Sequence, residues 1–233
     1  MMQKTLEKFV QQLKEAGEQN LQSVILFGSA VSDDFHADFS DVNLLCVVRE
    51  ASISGLESLA RTARQWKENP PPLIFTADEL SKSLDVFPIE MLDIQQHHRV
   101  LYGQDIVENL QIPLDRHRLQ LEHELRTKLL ILRQHFFALA GDKSRIRSLM
   151  LDSIPSFVTL FRHTLITMGE PSPAKKRDAI RMLGQKVQFD TQPFIQLLEI
   201  REKTLKPARL DVRTTFSRYV EGIEKVIQTV DAL

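Results

Sequence analysis

The segment from Val24 to Val48, VILFGSAVSDDFHADFSDVNLLCVV, limits what this chain can fold into more than any other. Val24, Ile25, Leu26 and Phe27 run into Gly28 and Ser29; a polar, acidic loop follows, and Ser40-Asp41-Val42-Asn43 opens a second apolar run, Leu44 to Val48. Short uninterrupted apolar runs suit strands buried on both faces, so the pattern predicts strand, turn, loop, strand. The polar residues gather where the first strand ends and the second begins, and binding groups collect at such an edge.

The order of these residues resembles the signature of the nucleotidyltransferase superfamily that includes the polymerase-beta-like and kanamycin-nucleotidyltransferase-like enzymes. That signature is a strand, a Gly-Ser turn, a short loop, and Ser-Asp-x-Asp opening the next strand. Gly28-Ser29 and Ser40-Asp41 match it, and Asn43 stands where the second metal-binding aspartate is expected. The resemblance implies an α+β fold: a small mixed nucleotidyltransferase sheet with flanking helices over residues 1–110, then an all-α helical bundle over 111–233. It implies a nucleoside triphosphate and Mg²⁺ as cofactors, Gly28, Ser29 and Ser40 as cofactor-binding residues, and Asp41 and Asn43 as metal ligands. The reaction implied is transfer of a nucleoside monophosphate to a hydroxyl of an acceptor, a small molecule or a protein. A third carboxylate, acting as general base or metal ligand, is expected from a later strand of the sheet.

The chemistry of the motif has a physical basis. A glycine at a tight turn lets the backbone approach phosphate oxygens, and free N–H groups at a helix start favour anions. Two carboxylates at i and i+2 of a strand point to one side and can share Mg²⁺ ions bridging a triphosphate, which stabilise the attacking and leaving oxygens of an in-line displacement. Asn43 keeps a carbonyl oxygen but loses the negative charge, so metal affinity should fall. Within the acidic loop, Asp33, Asp34, His36 and Asp38 read as a solvated surface, with Asp38 the candidate to replace the missing carboxylate.

Composition narrows the class. With 42% hydrophobic and 26% charged residues over 233, the chain has ample core for one or two soluble domains. Its apolar runs are shorter than the roughly 18 residues of a membrane span, and MMQKTLEKFV lacks the apolar segment of a signal peptide. The single cysteine, Cys46, is expected as a small core residue in a reducing cytoplasm. Residues 1–110 carry 9 Lys and Arg against 17 Asp and Glu, and residues 111–233 carry 21 against 14. The plain reading is that these oppositely charged halves dock on each other or on the mate of a homodimer. The sharper one gives the basic half a share in holding triphosphate or an anionic acceptor. Basic residues dispersed along the sequence are no sign of duplex nucleic-acid binding.

The remaining segments follow in order. Leu6, Phe9, Val10 and Leu13 form one stripe closed by Gly17, an amphipathic helix covering the sheet. Ile53, Leu56, Leu59, Ala60, Ala63 and Trp66 mark a helix ended by Asn69 and three prolines; Leu73, Ile74 and Phe75 make a third strand, and Thr76-x-x-Glu79 is a capping box. The run Phe87 to Ile94 is expected as a fourth strand, with Pro88 at its start or on an edge, and it offers Glu90 and Asp93 as the third carboxylate. Three apart on a strand, these face opposite sides; Asp93 is preferred as the catalytic base. His97 and His98 diverge on a helix or a strand and have no Cys or third His nearby, so no metal is assigned to them. Leu101-Tyr102-Gly103 resembles the close of the catalytic domain in small bacterial nucleotidyltransferases.

Helices are expected over 115–140, 144–168 with a kink or break at Pro155, 173–183, 193–204 and from 211 onward, a bundle whose apolar stripes are core. Arg118 and His123 have the spacing of the RNase motif of HEPN domains, but such a pair arises readily on a charged helix and no nuclease is assigned. A second class of function competes with the transferase: a nucleotidyltransferase-fold protein with a decayed catalytic site, acting as a nucleotide-binding or protein-interaction module. Asn43 is the residue on which the two divide.

Overall fold

Leu21–Phe27 (β1) and Asn43–Val48 (β2) are the central strands of a sheet completed by Leu73–Thr76 (β3) and His98–Gly103 (β4), in the order β3-β2-β1-β4. Strand β1 pairs antiparallel with both β2 and β4, and β2 pairs parallel with β3, so the sheet is mixed. The computed structural model describes residues 2–31, 41–64, 66, 69–139 and 141–233. These divide into two units, Met1–Pro113 and Leu114–Leu233.

Both faces of the sheet are covered, which suits the apolar runs 24–27 of β1 and 44–48 of β2. Met2–Gly17 (α1) and Ile53–Ala63 (α2) lie on one face, where Leu6, Phe9, Leu13 and Leu59 pack with Val24, Leu26, Leu44, Cys46 and Val48. Ala77–Lys82 (α3) and Pro88–Gln96 (α4) lie on the other, where Leu80, Met91 and Ile94 pack with Ile25, Leu45 and Val47. Slipping either strand by one residue would exchange the two sets, so register is tightly specified. Burial pushes the Cys46 thiol up to about 12, and it stays a protonated core residue.

One expected element changes type. Residues 88–96 form α4, not a fourth strand, and the last strand of the sheet is the later segment 98–103. Pro88 is at the start of α4, where its missing N–H costs nothing, and Glu90 sits in the first turn. The capping box at Thr76 is complete: the Glu79 N–H donates to Thr76 Oγ1, and the Thr76 N–H donates to Glu79 Oε2.

The second unit is a bundle of His117–Ala138 (α5), Lys143–Thr167 (α6), Lys176–Val187 (α7), Gln192–Arg201 (α8) and Val212–Asp231 (α9). Helix α6 packs against each of the other four. Phe157, Phe161, Phe194 and Tyr219 form its aromatic centre, and Gly222 of α9 leaves room for the Phe194 ring, 2.8 Å from where a Cβ would stand. Pro155 does not divide α6. Having no N–H, it leaves the Leu151 carbonyl without its helical donor, and the nearly buried Arg201 of α8 donates to that carbonyl at 2.7 Å. Arg118 likewise serves structure: it pairs with Glu122 and donates to the Val230 carbonyl at the end of α9, while His123 is exposed. Among the described residues, no helix is long and apolar enough to cross a membrane.

The bundle also buries two histidines. The Thr167 hydroxyl donates its one proton to the His163 carbonyl at 2.9 Å, so its oxygen accepts from His117 Nδ1 at 3.1 Å. His117 Nε2 is then left to accept from His163 Nδ1 at 2.8 Å. Burial, with the His163 ring beside it, lowers His117 from 6.5 to about 4.

Two outcomes follow for stability. Replacing Arg201 by leucine orphans a half-buried carbonyl and costs about 1 kcal/mol; in a Pro155→Ala background, where the helical N–H returns, urea denaturation is expected to show a clearly smaller loss. For His117, the unfolded chain takes up a proton near pH 6.5 and the folded one only near 4. Its contribution is complete above pH 6.5 and is lost as pH falls toward 4, by about 3 kcal/mol. Denaturation at stepwise pH should show this slope in the native protein and its reduction in His117→Gln.

Candidate nucleotide site

The site begins where β1 ends. Phe27 is paired across the sheet with Asn43 of β2 on one side and His98 of β4 on the other. Gly28 follows with φ of +77°, a conformation that costs other residues about 1–2 kcal/mol. Its N–H donates to the His97 carbonyl at 3.1 Å, and its carbonyl accepts from Val31 at 3.0 Å, closing the short 3₁₀ turn Gly28–Ala30. Ser29 lies in that turn, half-buried and engaged with neighbouring groups.

The turn and the start of β2 form one corner. A Cβ added to Gly28 would stand 3.3 Å from Asn43 Nδ2, so the Asn43 amide lies directly against the turn. Exposure alternates before the strand: Asp41 is exposed, Val42 buried and Asn43 half-buried. Asp41 and Asn43 therefore share the side opposite Val42. The Val42 N–H donates to Asn69 Oδ1 at 2.9 Å, which pins the entry to β2 from the far end of the segment after α2. Asn69 reads in the sequence only as a helix terminator; nothing local marks a contact 27 residues back.

Other expected site residues lie elsewhere. Ser40 falls outside the described residues, as do Asp33, Asp34, His36 and Asp38. Asp93 and Glu90 are on helix α4, so the argument that one must face away on a strand does not apply to them. Asp93 is half-buried, one turn before the end of α4, and its carbonyl accepts from the His97 N–H at 3.1 Å. The later strands from which a third carboxylate was expected read Leu-Ile-Phe-Thr and His-Arg-Val-Leu-Tyr-Gly; neither contains an acid. Among the described residues, no three His, Cys, Asp or Glu side chains are grouped to hold a metal. Among the described residues, an exposed Asp41 and a neutral Asn43 fall short of the several carboxylate oxygens that a two-magnesium site needs.

Electrostatically the corner differs from the expected one. A carboxylate in place of Asn43 would repel phosphate unless metal stood between them; a neutral amide does not, and its N–H can donate to a phosphate oxygen.

The fold is a nucleotidyltransferase fold. No model of a known family matches the sequence, and no curated protein matches it. A solved structure does: spectinomycin adenyltransferase AAD(9) from Enterococcus faecialis, determined with ATP and spectinomycin, is similar over 95% of this chain and 98% of its own, with a TM-score of 0.58. At 16% identity the likeness is one of fold.

Proposed function

We propose that this chain binds a nucleoside triphosphate at the Gly28 corner and is a nucleotide-binding module whose capacity for nucleotidyl transfer is weakened or lost. The observation that carries this reading is Asn43: its amide stands against the Gly28 turn where the resemblance expects a carboxylate, and none of the four strands supplies an acid. In this reading Gly28 and Ser29 hold the terminal phosphates, the Asn43 amide donates to one of them, and Asp41 is, among the described residues of the corner, the acid available to a Mg²⁺. The ATP in the neighbouring structure supports a nucleoside triphosphate as ligand.

A second reading is favoured by what the corner keeps. Gly28-Ser29 and Asp41 match the signature, and a Mg²⁺-dependent enzyme retaining them would transfer a nucleoside monophosphate to a hydroxyl of a small-molecule or protein acceptor, with Asp93 as base. Calorimetric titration of a non-hydrolysable nucleoside triphosphate, with and without Mg²⁺, separates the two. The module reading expects binding in both conditions, with Mg²⁺ improving it less than about tenfold, or 1.4 kcal/mol. Asn43→Asp should weaken metal-free binding and restore Mg²⁺ dependence. Binding that requires Mg²⁺ and vanishes in Asp41→Ala would favour the enzyme, and no binding in either condition would remove the nucleotide from the account.

A further inference from the structure

Strand β4 is an edge strand, hydrogen-bonded to β1 along one side, yet its first residue and the one before it hold the Gly28 turn: His97 O takes the Gly28 N–H, and His98 pairs with Phe27. An edge segment with one ladder is the part of a sheet most free to shift. Here it is tied from behind. His98 Nδ1 lies 2.9 Å from the Gln95 carbonyl and Nε2 lies 2.8 Å from Asp105 Oδ2, both groups that only accept. The ring thus bridges the end of α4 to the segment after β4.

Both anchors are themselves fixed. Asp105 Oδ1 accepts from the N–H groups of Val107 and Glu108, each at 3.1 Å. Burial alone would raise the Asp105 carboxyl, but the His98 hydrogen bond, these two amides and the His98 charge bring it below its ordinary value. Gln95 Nε2 reaches the carbonyls of Val107, Glu108 and Leu110 at 3.1, 3.1 and 2.9 Å. At the other end of β4, Gly103 meets β1 so closely that a Cβ would stand 1.9 Å from the Gln22 carbonyl oxygen.

We propose that His98, clamped between the Gln95 carbonyl and the Asp105 carboxylate, is a positioning residue that sets the Gly28–Ser29 turn through the neighbouring His97 carbonyl. Its consequence for ligand binding rests on the reading of the Gly28 corner as the triphosphate site. Without the clamp, the side chain that fixes the start of β4 is lost, the His97 carbonyl shifts, and the Gly28 N–H bond to it weakens.

The test uses the full chain and compares His98→Ala, Asp105→Ala and Asp105→Asn, the last of which keeps an acceptor oxygen for the ring. The ¹H–¹⁵N resonance of Gly28 reports its hydrogen bond directly. It is expected to move upfield in proton shift in both alanine variants and to stay near the native position in Asp105→Asn. ATP affinity is expected to fall on the order of tenfold in the alanine variants, the cost of about one charge-assisted hydrogen bond, and to recover in Asp105→Asn. A Gly28 resonance unmoved by loss of the clamp overturns the proposal, as does a moved resonance with ATP affinity intact. If the native protein binds no ATP, the triphosphate reading fails by itself, and the Gly28 resonance alone decides whether the clamp sets the turn. Should His98→Ala not fold, the two Asp105 variants decide the same question with the ring in place.

Discussion

The position of Gly28 depends on the double confinement of strand β1. Its backbone is hydrogen-bonded to β2 on one edge and β4 on the other, and its side chains are buried alternately among α1 and α2 or α3 and α4. Each fully buried Val, Ile or Leu of this strand contributes about 1.5–3 kcal/mol, and a register slip would misplace all of them together. The residue after the last ladder pair is therefore held to a fixed place, and Asn43 and His98 are delivered to its two sides by the same ladders. The corner is a by-product of how the sheet is packed.

What the corner can do follows from its charge. Catalytic nucleotidyl transfer needs carboxylate oxygens enough to hold metal against a triphosphate. Replacing one of them by an amide removes a negative charge beside the phosphates and adds a donor, which weakens the claim of metal and strengthens that of the anion alone. On the reading proposed above, a site that keeps the glycine turn and carries an amide in place of one acid recognises nucleotide without consuming it.

Much of the fold was legible because periodicity carries it. The apolar runs of β1 and β2, the stripe of α1, the capping box at Thr76 and the long helices of the bundle each announce themselves within a few residues. Residues 87–94 misled because Phe87, Ile89 and Met91 alternate like a strand, while the buried set Pro88, Ile89, Met91 and Ile94 has the spacing of a short helix, and nine residues are too few to decide by pattern. The true last strand, half-exposed on the sheet edge, has no alternation strong enough to mark it. Contacts between distant residues were out of reach altogether: Asn69 on Val42, Arg201 on the carbonyl freed by Pro155, and Asp105 on His98 each join groups whose types are unremarkable where they stand. Of the candidate site, the sequence marked the residue types at the turn, and the structure brought the amide of Asn43 against Gly28.

The central claim is that the corner accepts a triphosphate with its metal-binding acids depleted. Crystals grown with a non-hydrolysable nucleoside triphosphate and Mn²⁺ test it most directly, because anomalous scattering counts the metal ions at the phosphates without reference to any acceptor. The account predicts terminal phosphates on Gly28 and Ser29, the Asn43 amide donating to one of them, and at most one manganese, on Asp41. Two manganese ions bridging Asp41, the Asn43 carbonyl oxygen and a further carboxylate would contradict it and restore the chain to the working enzymes of its fold.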